Sequence, residues 1–331
     1  MIVPKKLQPG SKVGVISPSR EIIPEWEEQF HNAIREVEEK LQLEVIIGKH
    51  VFAQLPYSAG TVEQRLEDFH TMVEDESIDA VIFSIGGKIA IQMLEYIDWD
   101  LVKKNPKIYT GISDASTLLV PISAKANLIT YYGVEFIKVW GKGISDYELS
   151  NIKATFFGKG DVNETLKANQ NREAVWDKLD KKVLRNEKWQ ILRKGKATGR
   201  IMGGLLTPIF TLDNTQFLPD LENTLLFLET YSGNSETLHQ QFESMKLKGV
   251  FEKIKGLILG MQREHFLLRG KKRERPLQDV ILEVTNEYDF PIVYIPEIGH
   301  CVRNLIMPIG VETTIDTSKE HFLRFNQNTV T

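Results

Sequence analysis

The sequence predicts an α/β protein, and three observations carry that prediction. Short apolar runs alternate with amphipathic segments of roughly 10–15 residues, the rhythm of βαβ units around a parallel sheet. One of those runs, "AVIFSIGG" (Ala80–Gly87), is continuously apolar, as a strand buried on both faces should be. The rhythm breaks at a polar segment and then resumes, which divides the chain. The expected organisation is a Rossmann-like parallel-sheet domain over 1–140, a helical, Trp-containing connecting segment over 141–198, and a smaller C-terminal α/β domain over 199–331.

The elements follow in order. "KVGVISPS" (Lys12–Ser19) is a strand closed by Ser-Pro. "EWEEQFHNAIREVEEKLQ" places Trp26, Phe30, Ala33, Ile34, Val37 and Leu41 at helical spacing. "LEVIIGKH" is a second strand, and "TVEQRLEDFHTMVED" a second helix with Thr61 as its N-cap. After "AVIFSIGG" come a helix in "IAIQMLEYID", a strand in "PKIYTG", a helix after Ser113, and a strand in "LITYYG". Ser17–Ser19, Gly86–Gly87 and Ser113–Asp114 all fall at carboxyl ends of strands, where ligands of such sheets bind. The polar stretch from about Lys138 to Lys196 carries Trp140, Trp176 and Trp189, and between Lys178 and Arg200 the basic residues Lys178, Lys181, Lys182, Arg185, Lys188, Arg193, Lys194, Lys196 and Arg200 face only Asp180 and Glu187. Such a run reads as a solvated surface or as an anion-binding patch. The C-terminal part offers strands in "NTLLFLET", "KGLILGM" and "PIVYIPEIGH", helices in "SETLHQQFESMKLKG" and "PLQDVILEVTNEY", and a closing hairpin in "MPIGVETTIDTSKEHFLRF".

Composition bounds the function. The 331 residues carry 41 basic and 45 acidic side chains, a net charge of −4, which makes no general case for nucleic acid or a membrane surface as partner. With Cys301 as the single cysteine, no intrachain disulfide can form. "MIVPKKLQPGSK" lacks the apolar core of a signal peptide, and no apolar run approaches the roughly 18–20 residues of a membrane span. A cytoplasmic protein is expected.

Candidate chemistry centres on "KIYTGISDASTLL". A serine between small residues at a strand–helix junction is the pattern of a nucleophile elbow, with the next N–H placed to meet an oxyanion. Here Gly111 and Ala115 are the small residues, a looser pattern than G-x-S-x-G. The competing reading is that Ser113 or Asp114 caps the helix. A nucleophilic serine needs a base and an orienting carboxylate. His300 ends the apolar run "IPEIG" and begins a loop, and Glu229 ends "LLFLE"; a structural loop histidine and a paired structural carboxylate are the alternatives. Other motifs fail. "SIGGKIA" has Ile82 and Ile89 where a P-loop needs Gly and Ser/Thr, and there is no G-x-G-x-x-G and no H-E-x-x-H.

These residues, taken with their surroundings, resemble the LD-carboxypeptidase family of serine peptidases, in its microcin C immunity-type branch. The likeness runs nearly end to end through "LQPGSKVGVISPS", "AGTVEQRLEDFHTMVEDESIDAVIFSIGG", "YIDWDLVKKNPKIYTGISDASTLL", "LITYYG", "LLFLET", "IPEIGH" and "MPIGVETTID". It implies a Ser113–His300–Glu229 triad and an oxyanion hole from backbone N–H groups of Asp114 and the Gly86–Gly87 turn. It also implies substrate contacts from Lys88, Trp176, Trp189 and Leu205, a homodimer, no metal and no cofactor. The implied activity is hydrolysis of a peptidyl-nucleotide amide-type bond, with trimming of murein tetrapeptides and a weakly active or inactive binding protein as alternatives. Several polar family positions are replaced here: the segment after Gly87 is Lys88-Ile89-Ala90-Ile91-Gln92, the family's "SDIT" is Ser113-Asp114-Ala115-Ser116, an asparagine is Leu205, a proline is Val134, and Cys301-Val302-Arg303 follow His300. The machinery is therefore expected to be retained more securely than the substrate.

Overall fold

The computed structural model describes residues 1–134, 136–137, 140–170, 174–175, 186–262, 273–300 and 304–331. Trp176, four of the nine residues of the basic run (Lys178, Lys181, Lys182 and Arg185) and Cys301, Val302 and Arg303 lie outside these residues. Five strands of the N-terminal part, β1 (Lys12–Ile16), β2 (Glu44–Ile47), β3 (Ile78–Phe83), β4 (Ile108–Gly111) and β5 (Thr130–Tyr132), run parallel in the order β5-β4-β3-β1-β2. The order reverses between β1 and β3, the kind of switch point at whose carboxyl ends open α/β sheets bind ligands. Helices α1 (Glu27–Glu36), α2 (Val62–Glu74), α3 (Trp99–Lys104) and α4 (Ser116–Lys125) supply connections. Thr61 caps α2 in a full capping box with Gln64, as the Thr-x-x-Gln spacing dictates.

The connecting segment folds as α5 (Asp146–Phe156) and α6 (Val162–Gln170), followed by a small antiparallel pair, β6 (Ala174–Val175) and β7 (Asn186–Glu187). The second sheet contains β8 (Gln190–Arg193), β9 (Lys196–Leu205), β10 (Thr224–Thr230), β11 (Gly256–Gln262) and β12 (Ile292–Tyr294), joined by α7 (Leu206–Leu212), α8 (Ser235–Leu247), α9 (Val250–Lys253) and α10 (Leu277–Val284). The chain closes with β13 (Met307–Ile309), β14 (Glu312–Asp316) and β15 (Leu323–Phe325). The strand order is β15-β14-β9-β10-β11-β12-β8, with β9 to β12 parallel.

Three local expectations change. "MPIGVETTID" does not run as one arm of a hairpin. β13 pairs antiparallel with β5 at the edge of the first sheet, and only β14 and β15 form the hairpin, on the second sheet. Gly310, at φ +95, turns the chain from one sheet to the other. "IAIQMLEYID" forms only a 3-10 turn, Ala90–Met93, in which the Ile89 carbonyl takes Gln92 N–H and the Arg65 guanidinium. "PIVYIPEIGH" is a strand only over its first residues, and Ile295–His300 is a loop. Both sheets contribute to one continuous apolar core, with Val15, Phe83 and Leu118 on one side and Phe227, Leu259 and Ile298 on the other.

Candidate active site

Ser113 follows β4 directly and sits at φ +68. A non-glycine residue held there costs about 1–3 kcal/mol, so the surroundings must enforce it. They do so by close packing. A Cβ placed on Gly111 would lie 2.7 Å from the Ala115 Cβ, which is why both neighbours must be small. A Cβ on Gly86 would lie 2.7 Å from Ser113 Oγ and 3.5 Å from Asp114 N. The Gly86 turn therefore faces both the hydroxyl and the N–H that follows it. The capping alternative fails: neither the Ser113–Ala115 turn nor α4 has a side-chain cap bond. The half-buried Ser113 is thus a strained turn residue just past the carboxyl end of an interior strand.

Asp114 is buried and fully engaged. Its Oδ2 accepts from Ser19 Oγ at 2.6 Å and from Ala90 N–H at 3.0 Å, and its Oδ1 accepts from Thr117 Oγ1 at 2.8 Å. Ser19 Oγ in turn accepts Ile89 N–H at 3.1 Å. Arg65, only 2% exposed, donates to the carbonyls of Pro18 and Ile89 and to Gln92 Oε1. Burial pulls its guanidinium below the usual arginine value, against the opposing charges of Asp114 and Glu63. Main-chain groups of Ile89 and Ala90 are thereby fastened beside the Gly86–Gly87 turn. Lys88 is exposed beside that turn.

The second sheet supplies the acid and the histidine. Glu229, 0% exposed, lies near the end of β10. His300 Nδ1 is 3.0 Å from its Oε1 and 3.1 Å from its Oε2. A carboxylate can only accept, so Nδ1 carries the shared proton. Gly299, at φ +118, makes this approach possible: a Cβ there would lie 2.8 Å from the Glu229 carboxyl carbon. Tyr231 packs on the imidazole, ring centroids 4.6 Å apart.

Two residues that sequence reasoning missed join the sheets. Tyr132 Oη accepts Ser113 N–H at 3.0 Å and donates to Glu229 Oε1. Ser116 Oγ donates to Ser113 C=O at 2.9 Å and accepts Leu205 N–H at 2.9 Å. Ser113, Glu229 and His300 therefore lie on one hydrogen-bonded path. "LITYYG" marks Tyr132 as a strand residue, but nothing local says what its hydroxyl reaches. Leu205 is buried at 8% exposure and acts through its main chain. Trp189 is equally buried, with its indole N–H on Glu297 Oε2 and its ring against Phe322, so it lies in the packing of the second sheet. Among the described residues, no group of three or more His, Cys, Asp or Glu gathers to hold a metal.

Fold and cluster define a class: a two-sheet α/β protein with a strained serine turn on one sheet and a buried acid–histidine pair on the other. The LD-carboxypeptidase N-terminal domain model matches residues 13–133 and the LD-carboxypeptidase C-terminal domain model residues 198–315. The chain belongs to the LD-carboxypeptidase family. It is 29% identical over 318 residues to the microcin C7 self-immunity protein MccF of Escherichia coli, covering 93% of this chain and 91% of that protein. It is 27% identical over 323 residues to a protein of Bacillus subtilis (strain 168) named "Probable murein peptide carboxypeptidase", covering 96% and 92%. A solved structure of the microcin C7 self-immunity protein, in complex with aspartyl sulfamoyl adenosine, matches with a TM-score of 0.87 over 100% of both chains at 24% identity, a likeness of fold. No helix among the described residues is long and apolar enough to cross a membrane.

Proposed function

We propose that this protein is a serine hydrolase of amide-type bonds, with Ser113 as nucleophile, His300 as general base and then acid, and Glu229 as the group that orients His300. The observation that carries the reading is the buried Glu229 carboxylate on His300 Nδ1, within the same hydrogen-bonded path as the strained Ser113 turn. In the first step Ser113 Oγ bonds to the substrate carbonyl carbon and its proton passes to His300 Nε2. The oxyanion is met by N–H groups of Asp114 and of Gly86 or Gly87. The tetrahedral species collapses, the bond to the leaving group breaks, and His300 returns the proton to the leaving atom. Water then attacks the acyl-serine, His300 takes its proton, and Ser113 is restored. Glu229 stabilises the charged imidazole in both halves.

For the substrate we favour a peptidyl or aminoacyl nucleotide over a murein tetrapeptide. The long connecting segment before β9 supports this choice, and a relative solved with aspartyl sulfamoyl adenosine agrees with it. Replacement of polar family positions by Ile89, Ala90, Ile91 and Leu205 points to altered discrimination between substrates. The oxyanion groups of this reading are main-chain N–H groups of Asp114 and the Gly86–Gly87 turn, and the Ile89–Ala90 backbone that follows the turn is held by Ser19, Asp114 and Arg65. The test is hydrolysis of a peptidyl-adenylate analogue and of a murein tetrapeptide by wild type and by Ser113→Ala. Faster cleavage of the nucleotide by wild type is expected. If wild type cleaves neither faster than Ser113→Ala, the proposal fails; tight calorimetric binding without turnover would then support the binding-protein alternative.

A further inference from the structure

Both main-chain groups of Ser113 are held by side chains that reach the other sheet. Its N–H goes to Tyr132 Oη, whose own proton goes to Glu229, while its C=O receives the Ser116 hydroxyl, which in turn receives Leu205 N–H. Leu205 and Glu229 are direct partners in the β9–β10 register. One rung of the second sheet thus anchors the strained residue from both sides. The direction of the Tyr132 link is set by chemistry. A peptide N–H can only donate and a carboxylate only accept, so the phenol must accept from Ser113 and donate to Glu229. That donation takes one Glu229 oxygen and removes rotation of the carboxyl group, which then presents a settled face to His300.

We propose that Tyr132 and Ser116 are positioning residues that set Ser113 in register with Glu229 across the two sheets. The inference rests on the reading of Ser113, His300 and Glu229 as a triad. Neither residue touches the reacting atoms; each acts through the Ser113 peptide, and Tyr132 also acts through Glu229. Tyr132→Phe keeps the ring packed on Phe227, 5.7 Å away, and removes only the hydroxyl.

The experiment is inactivation by a fluorophosphonate, in which Ser113 Oγ displaces fluoride from phosphorus, followed as rate constant and probe affinity separately. Tyr132→Phe and Ser116→Ala should each lower the inactivation rate constant about 10-fold to 100-fold with probe affinity unchanged. Tyr132→Phe should slow Glu229→Gln by a smaller factor than it slows wild type, because one of the tyrosine's two links runs through that carboxylate while the other, to Ser113 N–H, does not. Multiplying effects of the two changes, or single variants within twofold of wild type, would overturn the proposal while leaving the triad intact. If wild type reacts no faster than Ser113→Ala, the triad reading fails and this inference with it. Should Tyr132→Phe not fold, Ser116→Ala carries the decision alone, since it breaks the other tie on the same turn.

Discussion

A single residue, Ser113, concentrates the strain of this molecule, and its neighbours explain how the strain is kept. The φ of +68 is held by glycine contacts that leave no room for a methyl group at Gly86 or Gly111. Gly299 plays the matching part for His300. Gly299→Ala should drive the new Cβ against Glu229 and force a disfavoured φ, lowering the melting temperature and abolishing turnover together. Thermal melts and activity on the same sample check this. Glu229→Gln keeps shape but disrupts the imidazole tautomer, and turnover should fall about 10³-fold to 10⁴-fold with little change in KM. Much of this was legible in the sequence. Glu229 and His300 stood out because a charged and a titratable group each ended an apolar run, and Ser113 because small residues flanked it. Tyr132, Ser116 and Ser19 were not legible. Their partners Glu229, Leu205 and Asp114 are 97, 89 and 95 positions away, and only the docking of strands decides such contacts.

At the scale of elements, the loop after β3 shows tertiary bonds overriding a helical pattern. "IAIQMLEYID" has helical spacing, but the Ile89 carbonyl takes Gln92 N–H and the Arg65 guanidinium in place of the N–H four residues on. Arg65→Lys leaves several of the arginine's acceptors unserved and should lower unfolding free energy by about 1–3 kcal/mol, read from urea denaturation. Between α2 and α3, His70 Nε2 accepts the Asp98 N–H at 3.1 Å. Burial holds the His70 imidazole below its ordinary value, outweighing the nearby charges of Asp98 and Glu74. The unfolded chain then binds a proton that the folded chain resists, so stability is lost as pH falls below about 6.5. His70→Gln should reduce that loss when denaturation midpoints at pH 7.5 and 5.5 are compared. A steeper loss in the variant would contradict the assignment.

The whole molecule is more interleaved than its chain order suggests. β13 crosses from the second half to the edge of the first sheet, while β8 and the first residues of β9 precede residue 199 and already belong to the second sheet. The sequence marked the two α/β regions through their rhythm, yet three apolar residues in "MPI" carry no signal of which sheet they will join. With β13, Tyr132 and Ser116 all tying the halves, unfolding should be one transition, with far-ultraviolet circular dichroism and tryptophan fluorescence curves coinciding. Separate midpoints would show that the sheets unfold independently.

We propose that the docked sheets make Ser113 a nucleophile. The most direct measurement is mass-spectrometric mapping of the site labelled by a fluorophosphonate. A single adduct on Ser113 is expected in wild type, none in Ser113→Ala, and a much slower one in Glu229→Gln. An adduct on another residue, or none while the protein remains folded, would contradict it.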